Sequence, residues 1–210
     1  MHQHVEPGRK RRRPARGSAM IELALIFTLA VPLLLGISGI GVRLGRTLDA
    51  TQVTRDVAHM YALGTDFSLA GTQAIARTLS RDFNLSATGN GVMILSRVIK
   101  VFQADCDAAG VPSCPNLNQT VFANRIVLGK SSLRASNFGT PPGGYLDAQG
   151  NITSANYCRQ STLVANGFDA VLSLSQGQSA YLVEGYFSMP ELNLAYFGSS
   201  AGGYYVRLVF

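Results

Sequence analysis

The stretch LALIFTLAVPLLLGISGIGV, Leu23–Val42, decides the fold: twenty consecutive residues without a charge. A helix rises 1.5 Å per residue, so this run spans roughly 30 Å, the thickness of a bilayer's hydrocarbon core. A cleaved secretory signal has a shorter apolar core and ends in a small-x-small site. Here the run ends in Arg43, Leu44 and Gly45, which do not supply that site. A buried core helix is rarely apolar on all sides directly behind a cluster of positive charge. The reading is one transmembrane helix.

Charge on either side of the run gives its orientation. Residues 1–17 hold Arg9, Lys10, Arg11, Arg12, Arg13 and Arg16 against Glu6, whereas only Arg43 and Arg46 follow the helix closely. The positive-inside rule keeps the N-terminus in the cytoplasm and exports the rest. The expected location is therefore a bacterial inner membrane, single-pass, with the C-terminal domain in the periplasm or at the cell surface. The net charge of +6 belongs to the leader, because residues 18–210 carry 12 basic and 11 acidic groups. A nucleic-acid partner would need a folded basic face, so none is expected. Charged residues make up 14% of the chain, against roughly 25% in a typical soluble domain, and membrane lipid accounts for the deficit.

Within the run, Pro32 removes one backbone donor, which membrane helices tolerate. Gly36, Gly39, Gly41 and Gly45 place small residues along the outer half, and Gly41 with Gly45 forms a GxxxG spacing that admits another helix. Pro32, Gly36, Gly41 and Gly45 are the candidate packing positions, with the general frequency of glycine in such helices as the plainer explanation.

Beyond the run the chain changes character without a break. In RLGRTLDATQVTRDVAHMYAL, 43–63, the residues Leu44, Leu48, Val53, Val57, Met60 and Tyr61 recur at spacings near three and four. The spacing predicts that the membrane helix continues as an amphipathic one and stops at Gly64. A second helix is predicted over 70–83, with Ile75, Leu79 and Phe83 on one face. Strand-like segments follow at 92–102, 120–128, 179–189 and 204–210, separated by Gly-, Ser-, Asn- and Pro-rich loops. The expected fold is α+β: a long N-terminal helix followed by a small, mostly antiparallel sheet. The parts are a basic leader (1–17), a transmembrane helix (18–42), an amphipathic helical region (43–83) and an exported β-rich domain (84–210).

The three cysteines, Cys106, Cys114 and Cys158, all lie past the membrane helix. In an oxidising compartment two of them can pair, and the sequence leaves three pairings open. Cys106 with Cys114 closes the shortest loop, and Pro112, Ser113 and Pro115 favour a turn there.

Enzyme chemistry finds little support. His2, His4 and His59 are the only histidines, which leaves no HExxH and no comfortable His-based triad, and no GxSxG occurs. Gly129, Lys130 and Ser131 imitate the end of a phosphate-binding loop, but Asn124 stands at the first glycine. Asp105, Asp107 and Gly110 resemble part of a calcium loop, with Ala109 and Asn116 where ligands belong. No catalytic residue, metal or cofactor is expected. The tyrosines Tyr145, Tyr181, Tyr186, Tyr196, Tyr204 and Tyr205 gather late in the chain and suit packed strands better than an adhesive surface.

The junction of leader and apolar run reads RRRPARGSAMIELALIF, 11–27. It resembles the processing site of type IV prepilins and pseudopilins: a basic leader, a glycine, four residues, a glutamate, then an apolar helix. On that resemblance a prepilin peptidase would cut between Gly17 and Ser18, leaving Glu22 as the fifth mature residue. More closely, GSAMIELALIFTLAVPLLLGI is similar to the start of TadE/TadG-like proteins of tight-adherence pilus systems, with Glu22 and Pro32 where that pattern expects them. Leu23 departs from it, since tight-adherence pilins usually carry an aromatic there. The resemblance implies a non-enzymatic minor pilin or pseudopilin, acting in pilus assembly or surface adhesion. Its implied partners are other pilins or pseudopilins and inner-membrane assembly components. The competing expectation is a static single-pass protein with an exported ligand-binding or scaffolding domain. A glutamate close to a membrane helix end is costly unless it is solvated or paired. The new amine of Ser18 would lie one helical turn from Glu22, within reach of a charge pair.

Overall fold

A computed structural model describes residues 16–80, 83–188 and 202–210. The leader before Arg16, together with Met189 and Tyr196, lies outside the described residues. The chain divides into two compact units, 1–43 and 44–210.

Helix α1 runs Arg16–Ala62 and contains Pro32. In the first unit it is all there is to describe: from Ala19 to Asp49 no residue is buried, and Ala50 is the first that is. Helix α1 ends at Gly64, whose φ of 86° lies in the left-handed region that a side chain disfavours. The Gly64 amide donates to the Tyr61 carbonyl and the Thr65 amide to that of Met60, both at 3.0 Å. This pair of bonds satisfies carbonyls that the last turn would otherwise leave open. The expected stop at Gly64 thus has a physical cause.

In the second unit, α2 spans Ala70–Leu79, and four strands follow: β1 (Gly91–Lys100), β2 (Thr120–Gly129), β3 (Ser179–Ser188) and β4 (Gly203–Val209). They form one antiparallel sheet in the order β2-β1-β3-β4, so the fold is α+β. Two short helices, α3 (Gln103–Ala108) and α4 (Ser154–Arg159), belong to the connections on either side of β2.

β1 is covered on both faces, which explains its unbroken apolar run Val92–Leu95. Met93 and Leu95 join Leu128 of β2 and Val183 and Phe187 of β3 beneath Ala50, Val53, Val57 and Tyr61 of α1. On the other face Val98, Phe122, Ala180 and Leu182 meet Phe138, Leu163, Phe168 and Leu174 from the long β2–β3 connection. Each large apolar side chain fully buried in these layers contributes about 1.5–3 kcal/mol. β2 carries an irregularity opposite Arg97 and Val98, where Arg97 pairs with Asn124 and Val98 with Phe122, skipping Ala123.

Two expected apolar faces are narrower than the spacing suggests. Leu44 and Leu48 stay exposed, and the buried seam of α1 starts at Ala50 and includes Thr54 and Ala58. On α2 only Ala76 is buried, while Ile75 and Leu79 face outward. On α1 the small Ala50, Thr54 and Ala58 are buried alongside Val53, Val57 and Tyr61. Thr54 of α1 is fully buried against Gly185 of β3: a Cβ on Gly185 would stand 2.6 Å from Thr54 Oγ1.

Candidate functional site

The first candidate is the exposed apolar stretch of α1. Met20, Leu29 and Ile40 are each more than 70% exposed, far beyond the scattered apolar surface of a soluble monomer. It is, among the described residues, the one helix long and apolar enough to cross a membrane, which fits a membrane anchor or a signal sequence. Gly17 and Ser18 fall in its first turn, and Glu22 lies one turn further on and is exposed. Among the described residues, nothing lies within 4 Å of where a Cβ would stand on Gly36, Gly41 or Gly45. Thr28 Oγ1 donates to the Leu25 carbonyl at 2.7 Å, so its hydroxyl is satisfied inside the helix.

The second candidate is a buried polar cluster around Glu184, a residue the sequence analysis did not single out. Glu184 points from β3 to the face covered by the β2–β3 connection and is 2% exposed. Its carboxylate accepts from Ser136 Oγ, from the Asn137 amide at 3.0 Å and from the Tyr205 hydroxyl at 2.7 Å. Arg125, also buried, donates from Nη2 to the Gly139 carbonyl at 3.0 Å and lies 4.4 Å over the Phe122 ring. Burial pushes its guanidinium down to about 10, with the Glu184 charge working the other way, so it remains a cation at neutral pH. The Arg134 guanidinium sits 4.1 Å over the Tyr205 ring. Burial, then the hydrogen bond to Glu184, drive the Tyr205 hydroxyl upward. With three donors on one carboxylate, the cluster fastens residues 134–139 across β3 and β4. The signal for it was a lone glutamate in an otherwise apolar strand, SAYLVEGYFS.

The third is a group of three sulfurs. The structure joins Cys106 to Cys114 in a disulfide, one of the three pairings the sequence allowed, and leaves Cys158 as a buried thiol. All three Sγ atoms lie within 4.8 Å of one another. Asn116 Nδ2 donates to the Tyr157 and Gln160 carbonyls, both at 2.8 Å, and so ties the Cys114 loop to α4. Burial, and next the Asp105 charge, raise the Cys158 thiol above its ordinary range. With two of its members bonded to each other, the group offers no set of thiolates to a metal.

The remaining sequence motifs have local roles. Asp105 Oδ2 accepts from the Phe102 amide at 2.8 Å, closing the start of α3, and Asp107 Oδ1 accepts from Gln103 Nε2 at 2.8 Å. Gly129, Lys130 and Ser131 mark the end of β2 and a turn into a short 3-10 segment, Ser131–Leu133. Asn124 bridges β2 to its neighbours, as described below.

No protein-family model matches the chain, and no curated protein or solved structure matches it either. The architecture itself is pilin-like: a long helix, apolar from its start, packs through its C-terminal turns on a four-stranded antiparallel sheet.

Proposed function

We propose that this chain is a non-enzymatic minor pilin or pseudopilin of a tight-adherence type IV pilus system, acting in pilus assembly or surface adhesion. The observation that carries the reading is the composition of α1. One helix holds an exposed apolar span with Glu22 near its start, open glycines along it and, from Ala50 onward, the seam that packs on the sheet. A static anchor needs the apolar span, whereas a carboxylate at its very start is costly unless solvated or paired, and a pilin's Ser18 amine would give it a partner.

In this mechanism the helix holds the subunit in the inner membrane, N-terminus in the cytoplasm, and then leaves lipid for a bundle of like helices. Lipid tails are as apolar as leucine, so the transfer needs no hydrophobic gain. Close packing at Gly36, Gly41 and Gly45 and a charge pair with Glu22 supply its direction. The partners are other pilins or pseudopilins and inner-membrane assembly components, and a prepilin peptidase exposes the Ser18 amine.

The test is the mature N-terminus. The full chain is produced in cells with and without a prepilin peptidase, and the terminus is read by mass spectrometry. Cleavage between Gly17 and Ser18 only when the peptidase is present supports the reading. An intact leader in both cells sinks it and leaves a static single-pass protein with an exported binding or scaffolding domain.

A further inference from the structure

We propose that Cys106, Cys114 and Cys158 form an intramolecular thiol–disulfide exchange site in which Cys158 takes over the bond to Cys106 and releases Cys114 as a modifiable thiol. The three sulfurs already lie within 4.8 Å of one another, so exchange needs local adjustment and no unfolding.

In the step, the Cys158 thiolate attacks Cys106 Sγ. A Cys106–Cys158 bond forms, the Cys106–Cys114 bond breaks, and the electron pair leaves on Cys114 Sγ, which takes up a proton equivalent to the one Cys158 gave to solvent. One disulfide and one thiol are present before and after, so no oxidant or reductant is consumed.

Burial sets the direction of attack. Cys106 is fully buried in α3, whereas Cys114 is half-exposed on an irregular loop between Pro112 and Pro115. A departing thiolate is better solvated at Cys114, and exchange favours the better leaving group. An acceptor also stands ready for the released thiol, because Cys114 Sγ lies 3.6 Å from the Cys158 carbonyl oxygen. Asn116 keeps the loop beside α4 through its two bonds to the Tyr157 and Gln160 carbonyls. The raised Cys158 thiol keeps its thiolate scarce, which makes the exchange slow. The outcome is the transfer of reactivity from a fully buried thiol to a partly exposed one. Chemistry suited to Cys114 is that of a small electrophile or of a second thiol, including Cys114 of another copy.

The experiment is native alkylation. The full chain, purified in detergent without reductant, is held with iodoacetamide at mildly alkaline pH, quenched in acid and digested without reduction for peptide mapping. The expected result is one label per chain, on Cys114, together with a Cys106–Cys158 cross-linked peptide. Cys158→Ser should lose the label, and Cys114→Ser should be purified with Cys106 joined to Cys158. An unlabelled chain with Cys106–Cys114 intact overturns the proposal, as does a label on Cys158 or Cys106, or free thiols at both remaining cysteines of Cys114→Ser.

Discussion

The Tyr61 hydroxyl, one residue before the end of α1, donates to Asn124 Oδ1 on β2 at 2.7 Å. Asn124 in turn donates from Nδ2 to the Gln149 carbonyl at 3.1 Å and to Asn151 Oδ1 at 2.9 Å. One buried amide thus joins the helix, the edge of the sheet and the loop that crosses it. Tyr61→Phe keeps the ring and its edge-on packing on Tyr181 at 5.3 Å but leaves Asn124 Oδ1 without its donor. We expect a loss of about 1–3 kcal/mol, measured by chemical denaturation of the full chain in mild detergent. A change within error would show that the bond contributes nothing net.

Alkali should loosen the domain. Burial raises the Tyr61 hydroxyl above its ordinary value of 10.0, and burial with the Glu184 hydrogen bond does the same to Tyr205. A folded value above the unfolded one gives stability that is complete below pH 10 and falls as pH rises beyond it, because only the unfolded chain ionises easily. Arg125, displaced downward to about 10, acts in the opposite sense. The tyrosine part is therefore isolated by difference: the double variant Tyr61→Phe, Tyr205→Phe should lose less stability above pH 10 than the parent. Equal slopes in a pH series of melting curves would contradict this.

Glu184 is a fastening point. Glu184→Ala removes a negative charge that favours the buried Arg125 cation, and strips Ser136, Asn137 and Tyr205 of their acceptor. The expected cost is about 3–5 kcal/mol. Glu184→Gln keeps one acceptor oxygen and should cost less. Limited proteolysis should find residues 134–139 cut first in both variants, and a cut elsewhere would argue against the fastening role.

Gly185 and Thr54 should behave as a pair. A Cβ on residue 185 would stand 2.6 Å from Thr54 Oγ1 and 3.2 Å from Thr54 Cγ2, so Gly185→Ala should cost about 1–3 kcal/mol by overpacking. Thr54→Ala removes both atoms. The double variant should then be more stable than the sum of the single changes allows, and strict additivity in the cycle would refute the contact.

The glycines of the apolar span give the opposite contrast. Among the described residues, nothing lies within 4 Å of a Cβ on Gly41 or Gly45, so Gly41→Ile with Gly45→Ile should leave the melting of the sheet domain unchanged. Under the pilin reading the same pair should weaken association with neighbouring helices. Cross-linking in membranes reads that association, and unchanged cross-linking would remove these glycines from the interface.

Much of this fold could be read residue by residue. The strands at 92–102, 120–128 and 204–210 match β1, β2 and β4 to within two residues at each end, because β-branched and aromatic runs between Gly-rich turns are local signals. Gly64 was readable for the same reason, since only local backbone geometry is involved. Leu44, Leu48, Ile75 and Leu79 fall at helical spacing yet stay exposed. Periodicity shows that a helix has an apolar face but not which turns find a neighbour to cover it.

The sequence by itself determined the uncharged run of twenty residues, the charge asymmetry across it and the order of one long helix before four strands. Each of these depends on composition and on short-range periodicity. The tertiary structure alone decided that Cys106 bonds Cys114 with Cys158 beside them, that Glu184 lies under residues 134–139, and that Asn124 meets Tyr61. Those contacts join residues between 8 and 63 positions apart. They exist because the sheet order β2-β1-β3-β4 and the long connection across its face bring them together, and no local pattern encodes that arrangement.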